Sequence, residues 1–343
     1  MNSFHAEILM WYSQNKRDLP WRLTKDPYRI WLSEIILQQT RVEQGLAYYE
    51  KFVKRFPSIF DLAKASEDDV LKLWEGLGYY SRGRNLLATA KRIVQEYSGQ
   101  FPVSASELRK LKGIGPYTSA AISSIANNEK VAAVDGNAFR VLSRFFDIEK
   151  DISLNSTRKY FENLMTELIE GDNPGDFNQA VMDIGAMICT PKNYDCGSCP
   201  LNFGCLSLKE QKIEERPVKT KKLKITDRFL HFLIIKDDTK IALERRSEGI
   251  WNGLYQFPLI ESDSKDLSIS DLRKRIDQKV DRAKMIHQLQ KPHKLSHQNL
   301  HISFWELDAE DWEKKFDIQD LSLLSFPKPL NEFIKQFILE VNI

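Results

Sequence analysis

Four cysteines, the only ones among 343 residues, fall as Cys189-x6-Cys196-x2-Cys199-x5-Cys205. Four thiolates on short loops can cage a 4Fe-4S cluster or a structural zinc. Zinc ribbons commonly use two short Cys-x2-Cys knuckles set far apart, whereas this run has one short knuckle between longer loops, which favours the cluster. Disulfides are not expected: the first residues, Met1 to Glu7, lack the basic and then apolar stretch of a secretory leader, so a reducing cytoplasmic location is the expectation. Two acids also stand in telling places. Glu34 sits in Ile30-Trp-Leu-Ser-Glu-Ile-Ile-Leu37 and shares a helix face with Ile30 and Leu37. Desolvation there would keep its carboxyl protonated near neutral pH, as a general acid requires; a structural glutamate with a basic partner reads the same way. Asp135 ends the apolar run Val131-Ala-Ala-Val134 just before a helix resumes at Gly136. A helix N-terminus supports an ionised carboxylate, although a plain N-cap has the same pattern.

The elements that must hold these groups differ between the two halves of the chain. Up to about residue 208 the apolar residues recur at helical spacing, for example Leu86, Leu87, Ala90, Ile93 and Val94, so an all-α domain is expected over 1–208. Asp26-Pro27 opens the helix that carries Glu34. Ser104-x-x-Glu107 reads as a capping box, and Lys112-Gly113-Ile114-Gly115-Pro116 turns into a second helix from Tyr117, a helix-hairpin-helix over about 104–126. Gly113 and Gly115 permit a tight turn whose backbone N–H groups, with the helix N-terminus behind them, form an anion seat suited to DNA phosphate. Such contacts position a protein without reading sequence. Residues 209–226 are basic and poor in large apolar side chains and read as an exposed linker. From 227 to 343 the pattern is mixed α and β: Phe229–Ile235 and Lys240–Arg245 read as a hairpin, Ser270–Val280 as a helix and His301–Leu307 as a strand. An apolar fraction of 42% supplies core for two domains, and the net charge of +2 decides little about partners. No apolar run nears the roughly 18 residues of a transmembrane helix, so no membrane role is expected.

Glu34 followed by Leu37-Gln38-Gln39-Thr40-Arg41, the hairpin Leu111–Tyr117, Val134-Asp135-Gly136-Asn137 and the four-cysteine loop together resemble the endonuclease III superfamily of DNA glycosylases. With Leu19-Pro20-Trp21-Arg22 and Trp74-Glu-Gly-Leu77-Gly-Tyr79-Tyr80, the chain is most similar to the MutY family of adenine DNA glycosylases, over nearly its whole length. The resemblance implies a monomer that binds double-stranded DNA, is associated with the nucleoid when bound, carries a 4Fe-4S cluster on Cys189, Cys196, Cys199 and Cys205, and excises adenine opposite 8-oxoguanine or guanine. By the same resemblance Glu34 would protonate adenine and later activate water, Asp135 would stabilise the cation-like sugar, and Asn137 would orient the site. Tyr117 stands where bifunctional relatives carry a Schiff-base lysine, which implies a monofunctional enzyme. Flipping a base out of the duplex requires groups that brace the gap, and Gln38, Thr40, Leu77 and Tyr79 match the positions that contact the lesion pair. Trp21, Arg22 and Gln179 match the lining of the adenine pocket; Gln179 replaces the glutamate of some relatives.

The segment Arg245–Pro258 resembles the Nudix-like second domain of the same family, an α+β fold over 227–343. Residues 260–276 lack the paired glutamates of a magnesium-binding Nudix box, so no hydrolase activity is expected. His293-Lys-Leu-Ser296-His297 matches the loop that implies 8-oxoguanine recognition, with Ser296 as its central contact and Leu295 in place of the phenylalanine of some relatives.

Overall fold

A computed structural model describes residues 2–220, 224–276, 280–309 and 315–339. Contacts divide the chain into two compact units, the first made of Met1–Ala65 and Asn85–Lys222, the second of Ser66–Arg84 and Leu223–Ile343.

The helices run α1 (Asn2–Asn15), α2 (Pro27–Leu37), α3 (Val42–Arg55), α4 (Ile59–Lys64), α5 (Glu67–Trp74), α6 (Ser81–Tyr97), α7 (Ala105–Leu108), α8 (Pro116–Asn127), α9 (Gly136–Phe145), α10 (Asn155–Leu168), α11 (Pro174–Met187) and α12 (Leu206–Lys209). Their ends follow the sequence signals. Asp26 caps α2 by accepting from Tyr28 N with Pro27 in the first turn, and Ser58 and Ser66 form reciprocal capping boxes on α4 and α5. The expected box on α7 is only half made. Ser104 Oγ accepts from Glu107 N, but the Glu107 carboxylate turns to Lys110 at 2.6 Å instead of to the backbone of Ser104. One core of the first unit gathers Phe4 and Ile8 of α1, Phe139 and Leu142 of α9, Phe161 and Met165 of α10, and Phe177, Val181 and Ile184 of α11.

The described residues of 209–226 are mostly exposed, but the segment is anchored at two buried points. Ile213 and Arg216 are buried, Arg216 reaches Asp147 at 2.8 Å and Glu149 at 2.6 Å, and Ile152 N donates to Val218 O at 3.0 Å. Composition is silent about this docking because the partners lie far away in sequence, where paired carboxylates compensate the buried guanidinium. The basic run continues through 221–223, which lie outside the described residues.

In the second unit β1 (Thr226–Ile234) is followed by β2 (Lys240–Ala242), β3 (Glu244–Arg245), β4 (Tyr255–Gln256), β5 (Leu259–Ser262), α13 (Ile269–Lys274), β6 (Val280–Gln288), β7 (His293–Lys294), β8 (Gln298–Ala309), β9 (Lys315–Asp317) and α14 (Lys328–Ile334). The sheet order is β5-β1-β8-β6, with β7 also on β8; β1 and β8 are parallel and the other pairs antiparallel. Alternate residues of the central strands feed two cores. Leu230, Phe232, Ile234, Leu300, Ile302 and Phe304 meet Leu330 and Phe333 of α14, while Leu233, Ile235, Trp305 and Leu307 meet Leu272 of α13. Burial on both faces explains why β1 reads as a continuous apolar run.

The expected hairpin survives only at its turn. Asp237 N donates to Lys240 O and Lys236 bridges Ile241, but both edges of β1 belong to β5 and β8, so β2 pairs with β9. The helix expected over Ser270–Val280 ends at Lys274; residues 277–279 lie outside the described residues, and Val280 already begins a strand. Among the described residues no helix is long and apolar enough to cross a membrane.

Candidate active site

Three segments of the first unit bring Glu34, Tyr117 and Asp135 together. Glu34 projects from the middle of α2, where Ile30, Trp31, Ile35 and Ile36 are all buried. The glycine turn before α8 delivers Tyr117: Gly113 has φ +80, a conformation open to glycine, and Gly115 is the extended N-cap ahead of Pro116. A Cβ on Gly113 would also lie 2.9 Å from Asn85 Cβ, so this turn and the start of α6's buried stretch are matched. Asp135 is placed by an amide clamp. Asn178, fully buried on α11, accepts from Ala133 N at 3.0 Å and donates to Val131 O and Ser124 Oγ, each at 2.9 Å. The stretch before Asp135 is therefore tied to α8 and α11 at once.

Electrostatics separates the two carboxyls. Burial pushes Glu34 up to about 7; a hydrogen bond with the Tyr117 hydroxyl opposes the rise, the nearby Asp135 adds to it, and Arg22 lowers it. The Tyr117 hydroxyl also lies 3.4 Å from Met182 Sδ, and burial raises its pKa well above the usual value. Asp135 N-caps α9, accepting from Ala138 N on Oδ1 at 2.8 Å and from Asn137 Nδ2 on Oδ2 at 2.7 Å. The helix terminus alone would favour a low pKa, but burial outweighs these bonds and raises it above the ordinary aspartate value. Hydrogen bonds of this kind suit the anion, while Glu34 is poised to carry a proton at neutral pH.

Asn137 is held in turn by Arg140, whose Nη2 donates to Asn137 Oδ1 at 2.8 Å and to Gly185 O at 2.7 Å, and whose Nε donates to Cys189 O at 2.6 Å. Gly185 lets α11 approach α9 closely: a Cβ there would lie 2.5 Å from Asn137 Cβ. Trp21 is buried against Tyr49 with ring centroids 5.0 Å apart. Arg22, in the same short turn, is bound to Asp183. Gln38 donates to Thr118 Oγ1 at 3.2 Å, and Thr40 donates through its hydroxyl to Gln38 O at 3.4 Å. Gln179 is buried, with its amide nitrogen donating to Gly175 O at 3.3 Å.

The remaining sequence candidates lie in the second unit. Gly76, Gly78 and Tyr79 all have positive φ, so the chain turns sharply, buries Leu77 and leaves Tyr79 45% exposed. The Arg82 guanidinium stands 5.1 Å from the Trp74 ring and 5.8 Å from the Tyr79 ring, which braces the turn. Tyr79 and Ser296 share a hydrogen bond through their hydroxyls. Ser296 and His297 are exposed at a turn closed by Leu295 N donating to Gln298 O at 2.8 Å.

The four cysteines, all free and partly buried, line one small cavity with Ile188, Tyr194, Leu208 and Ile213. Arg144 Nη1 donates to Cys189 Sγ at 3.3 Å, and burial pushes the Cys199 thiol up to about 11. Among the described residues no three ligand-type side chains are already set at metal-binding spacing. The donor chemistry nevertheless fits an anionic thiolate-bound group: four thiols face one cavity, with a guanidinium donor beside one of them.

Asp183, Arg17 and Arg140 were missed by the sequence reading. A signal existed for Asp183, a carboxylate on the interior of α11 among Ala180, Val181 and Ile184, since such a charge demands a cationic partner.

Residues 32–170 match the family model of the HhH-GPD superfamily base excision DNA repair proteins, and 230–336 match the NUDIX domain. An adenine DNA glycosylase of Buchnera aphidicola subsp. Schizaphis graminum is 36% identical over 97% of this chain and 98% of its own. The human adenine DNA glycosylase is 41% identical over 63% of this chain and 41% of its own. Among solved structures, a thermostable thymine-DNA glycosylase superposes with a TM-score of 0.56 at 31% identity, over 61% of this chain and 96% of that one. Endonuclease III in a non-covalent DNA complex shares the fold, with a TM-score of 0.53 at 18% identity over 61% of this chain and 95% of that one.

Proposed function

The chain belongs to the adenine DNA glycosylases of base excision repair, and from that premise we propose that it removes adenine opposite 8-oxoguanine or guanine in double-stranded DNA, leaving an abasic site. The observation that carries the mechanism is the part-buried Glu34 carboxyl, raised to about 7, within electrostatic reach of Asp135. Breaking an N-glycosidic bond needs an acid for the departing base and an anion beside a sugar that becomes cation-like, by analogy with O-glycoside hydrolysis.

Adenine, flipped from the stack, enters a pocket lined by Trp21, Arg22 and Gln179. Glu34 gives its proton to ring nitrogen 7 and, as a carboxylate, then takes one from the attacking water. Asp135 stabilises the oxocarbenium charge, with Asn137 orienting it. Tyr117, hydrogen-bonded to Glu34, offers no amine for a Schiff base, so strand cleavage by that route has no nucleophile. The backbone around Gly113 and Gly115 seats a DNA phosphate. Gln38, Thr40, Leu77 and Tyr79 contact the lesion pair, and Ser296 with His297 recognises 8-oxoguanine.

Cys189, Cys196, Cys199 and Cys205 would hold a 4Fe-4S cluster, which when bound ties the 189–205 loop together. We assign 1–208 to the glycosylase domain, 209–226 to the connection and 227–343 to the Nudix-like recognition domain, in a monomer that works in the cytoplasm on nucleoid DNA.

Single-turnover incubation with duplexes carrying adenine opposite 8-oxoguanine, guanine or thymine tests this reading, scoring free adenine and strand breaks before and after alkali. Release at the first two pairs, with breaks only after alkali, is expected. Strand breaks without alkali would rule out the monofunctional assignment, and tight binding without release would remove the proposed substrate.

A further inference from the structure

Leu77 and Tyr79 are carried by a segment, Ser66–Arg84, that groups by contact with Leu223–Ile343 and not with the chain on either side of it. Three sets of side chains hold it there. At the start of α5, Arg245 donates from Nη2 to Glu67 Oε1 at 3.1 Å and to Asp68 Oδ1 at 2.9 Å, while its Nε donates to Gly253 O at 3.0 Å. At the other end of the helix, Lys72 Nζ donates to Leu324 O at 2.8 Å and pairs with Glu75 at 3.0 Å, and Glu75 Oε1 accepts from Asn331 Nδ2 of α14. Beyond the turn that bears Tyr79, Arg84 Nη1 donates to Asn252 O.

The surface that receives α5 is itself braced. Arg246 N donates to Leu254 O at 2.9 Å, Gly253 N to Arg246 O at 2.7 Å and Asn252 Nδ2 to Ser247 O at 2.7 Å, so the loop after Arg245 is closed on itself. Gly253, at φ +86, lets that loop come close: a Cβ there would stand 3.0 Å from Glu67 Oε1 and 3.3 Å from Leu71 Cδ1. The Arg245 side chain is 41% exposed, and ion pairs so open to water add little stability. Placed at the two ends of an eight-residue helix, the contacts of Arg245 and Asn331 fix where the following turn points. Tyr79 on that turn meets Ser296 through one hydroxyl contact, and a hydrogen bond weakens steeply as its geometry slips.

We infer that Arg245 and Asn331 are positioning residues for the choice between 8-oxoguanine and guanine: by gripping the two ends of α5 they set Tyr79 against Ser296. The inference rests on the reading of Tyr79 and Ser296 as the recognition pair, and it adds residues that act on the lesion only through that pair. Charge gives it a checkable sign. Arg245→Glu faces Glu67 and Asp68 with a third carboxylate and pushes the start of α5 away, whereas Glu67→Lys with Asp68→Lys restores the attraction in reversed polarity. General loosening of the fold would not be reversed in this way.

The test is single-turnover adenine release by the full chain from duplexes carrying adenine opposite 8-oxoguanine or guanine, with melting recorded for every variant. Arg245→Glu is expected to lower the ratio of the two rates about 3- to 10-fold, by slowing release opposite 8-oxoguanine while release opposite guanine stays near wild type. Asn331→Ala loses one anchor and is expected to lower the ratio about 2- to 3-fold. Combining Arg245→Glu with Glu67→Lys and Asp68→Lys brings the ratio back toward wild type. In Ser296→Ala the ratio is already low, and adding Arg245→Glu lowers it no further, because both changes act through one contact. Where Ser296→Ala does lower the ratio, the inference is overturned by an unchanged ratio in Arg245→Glu and Asn331→Ala, by equal losses on both duplexes, by failure of the reversed charges to rescue, or by a loss that multiplies with that of Ser296→Ala; the recognition reading then stands. An unchanged ratio in both Ser296→Ala and Tyr79→Phe overturns the recognition reading, and this inference with it.

Discussion

The Glu34–Asp135 centre and the Tyr79–Ser296 pair use hydrogen bonds in opposite ways. Around Asp135 nearly every neighbour is itself held: Asn137 by Arg140, Arg140 by three backbone carbonyls, and the preceding stretch by Asn178. Tyr79 and Ser296 are exposed side chains on turns, joined by one hydroxyl contact. The difference teaches a division of labour. On the proposed function, acid chemistry at Glu34 calls for a preorganised setting that shifts a pKa, whereas recognition by Tyr79 and Ser296 calls for groups that can exchange partners with a ligand.

Removing the acid is the most direct way to break this comparison. Glu34→Gln is expected to slow single-turnover adenine release by about 10²- to 10⁴-fold while duplex affinity persists; release at the wild-type rate would contradict its role. The packing behind the centre comes next. Gly185→Ala drives a Cβ into Asn137 and is expected to cost about 1–3 kcal/mol in urea unfolding and to slow release, while Gly136→Ala, where a Cβ meets nothing within 4 Å, spares the packing. Equal losses for the two would show that the α9–α11 approach is unimportant.

The pH dependence has a definite sign. As the proposed acid, Glu34 acts in its protonated form, and its pKa is raised to about 7, so release is expected to be present below that value and to fall about tenfold for each unit above it. A rate that climbs steadily through pH 7 to 9 would require a different acid. The smallest effect belongs to the exposed pair. Ser296→Ala removes one hydroxyl and is expected to lower the preference for 8-oxoguanine over guanine by about 3- to 10-fold, read as the ratio of single-turnover rates. An unchanged ratio would take recognition away from this loop.

What the sequence disclosed followed from local signals. Asp26-Pro27, the Gly113–Pro116 turn and the change from helical to alternating spacing near 226 are each written in a few neighbouring residues, and the helical and mixed halves follow from them. What stayed hidden depends on distant partners. Asp183 and Arg22 are 161 residues apart, and Arg216 becomes a buried ion only because Asp147 and Glu149 wait for it. The β1–β2 hairpin failed for the same reason, because β8, far along the chain, takes the edge that a local reading gives to β2.

The parallel pairing of β1 with β8 also orders events in time. Thr226 meets Gln298 and Ile234 meets Glu306, so the middle of the sheet waits until a ribosome has delivered the later strand. Ser66–Arg84 belongs to that same late-closing unit although it is made early, between the two parts of the first. During synthesis this short stretch must stay soluble without its eventual neighbours, and its serine-capped, acid-rich helix start at Glu67–Asp69 and the charge on Arg82 and Arg84 suit it to that interval. A chain stopped near residue 222 would keep the helical core yet strand this early segment, so proteolysis of such a fragment is expected to begin there.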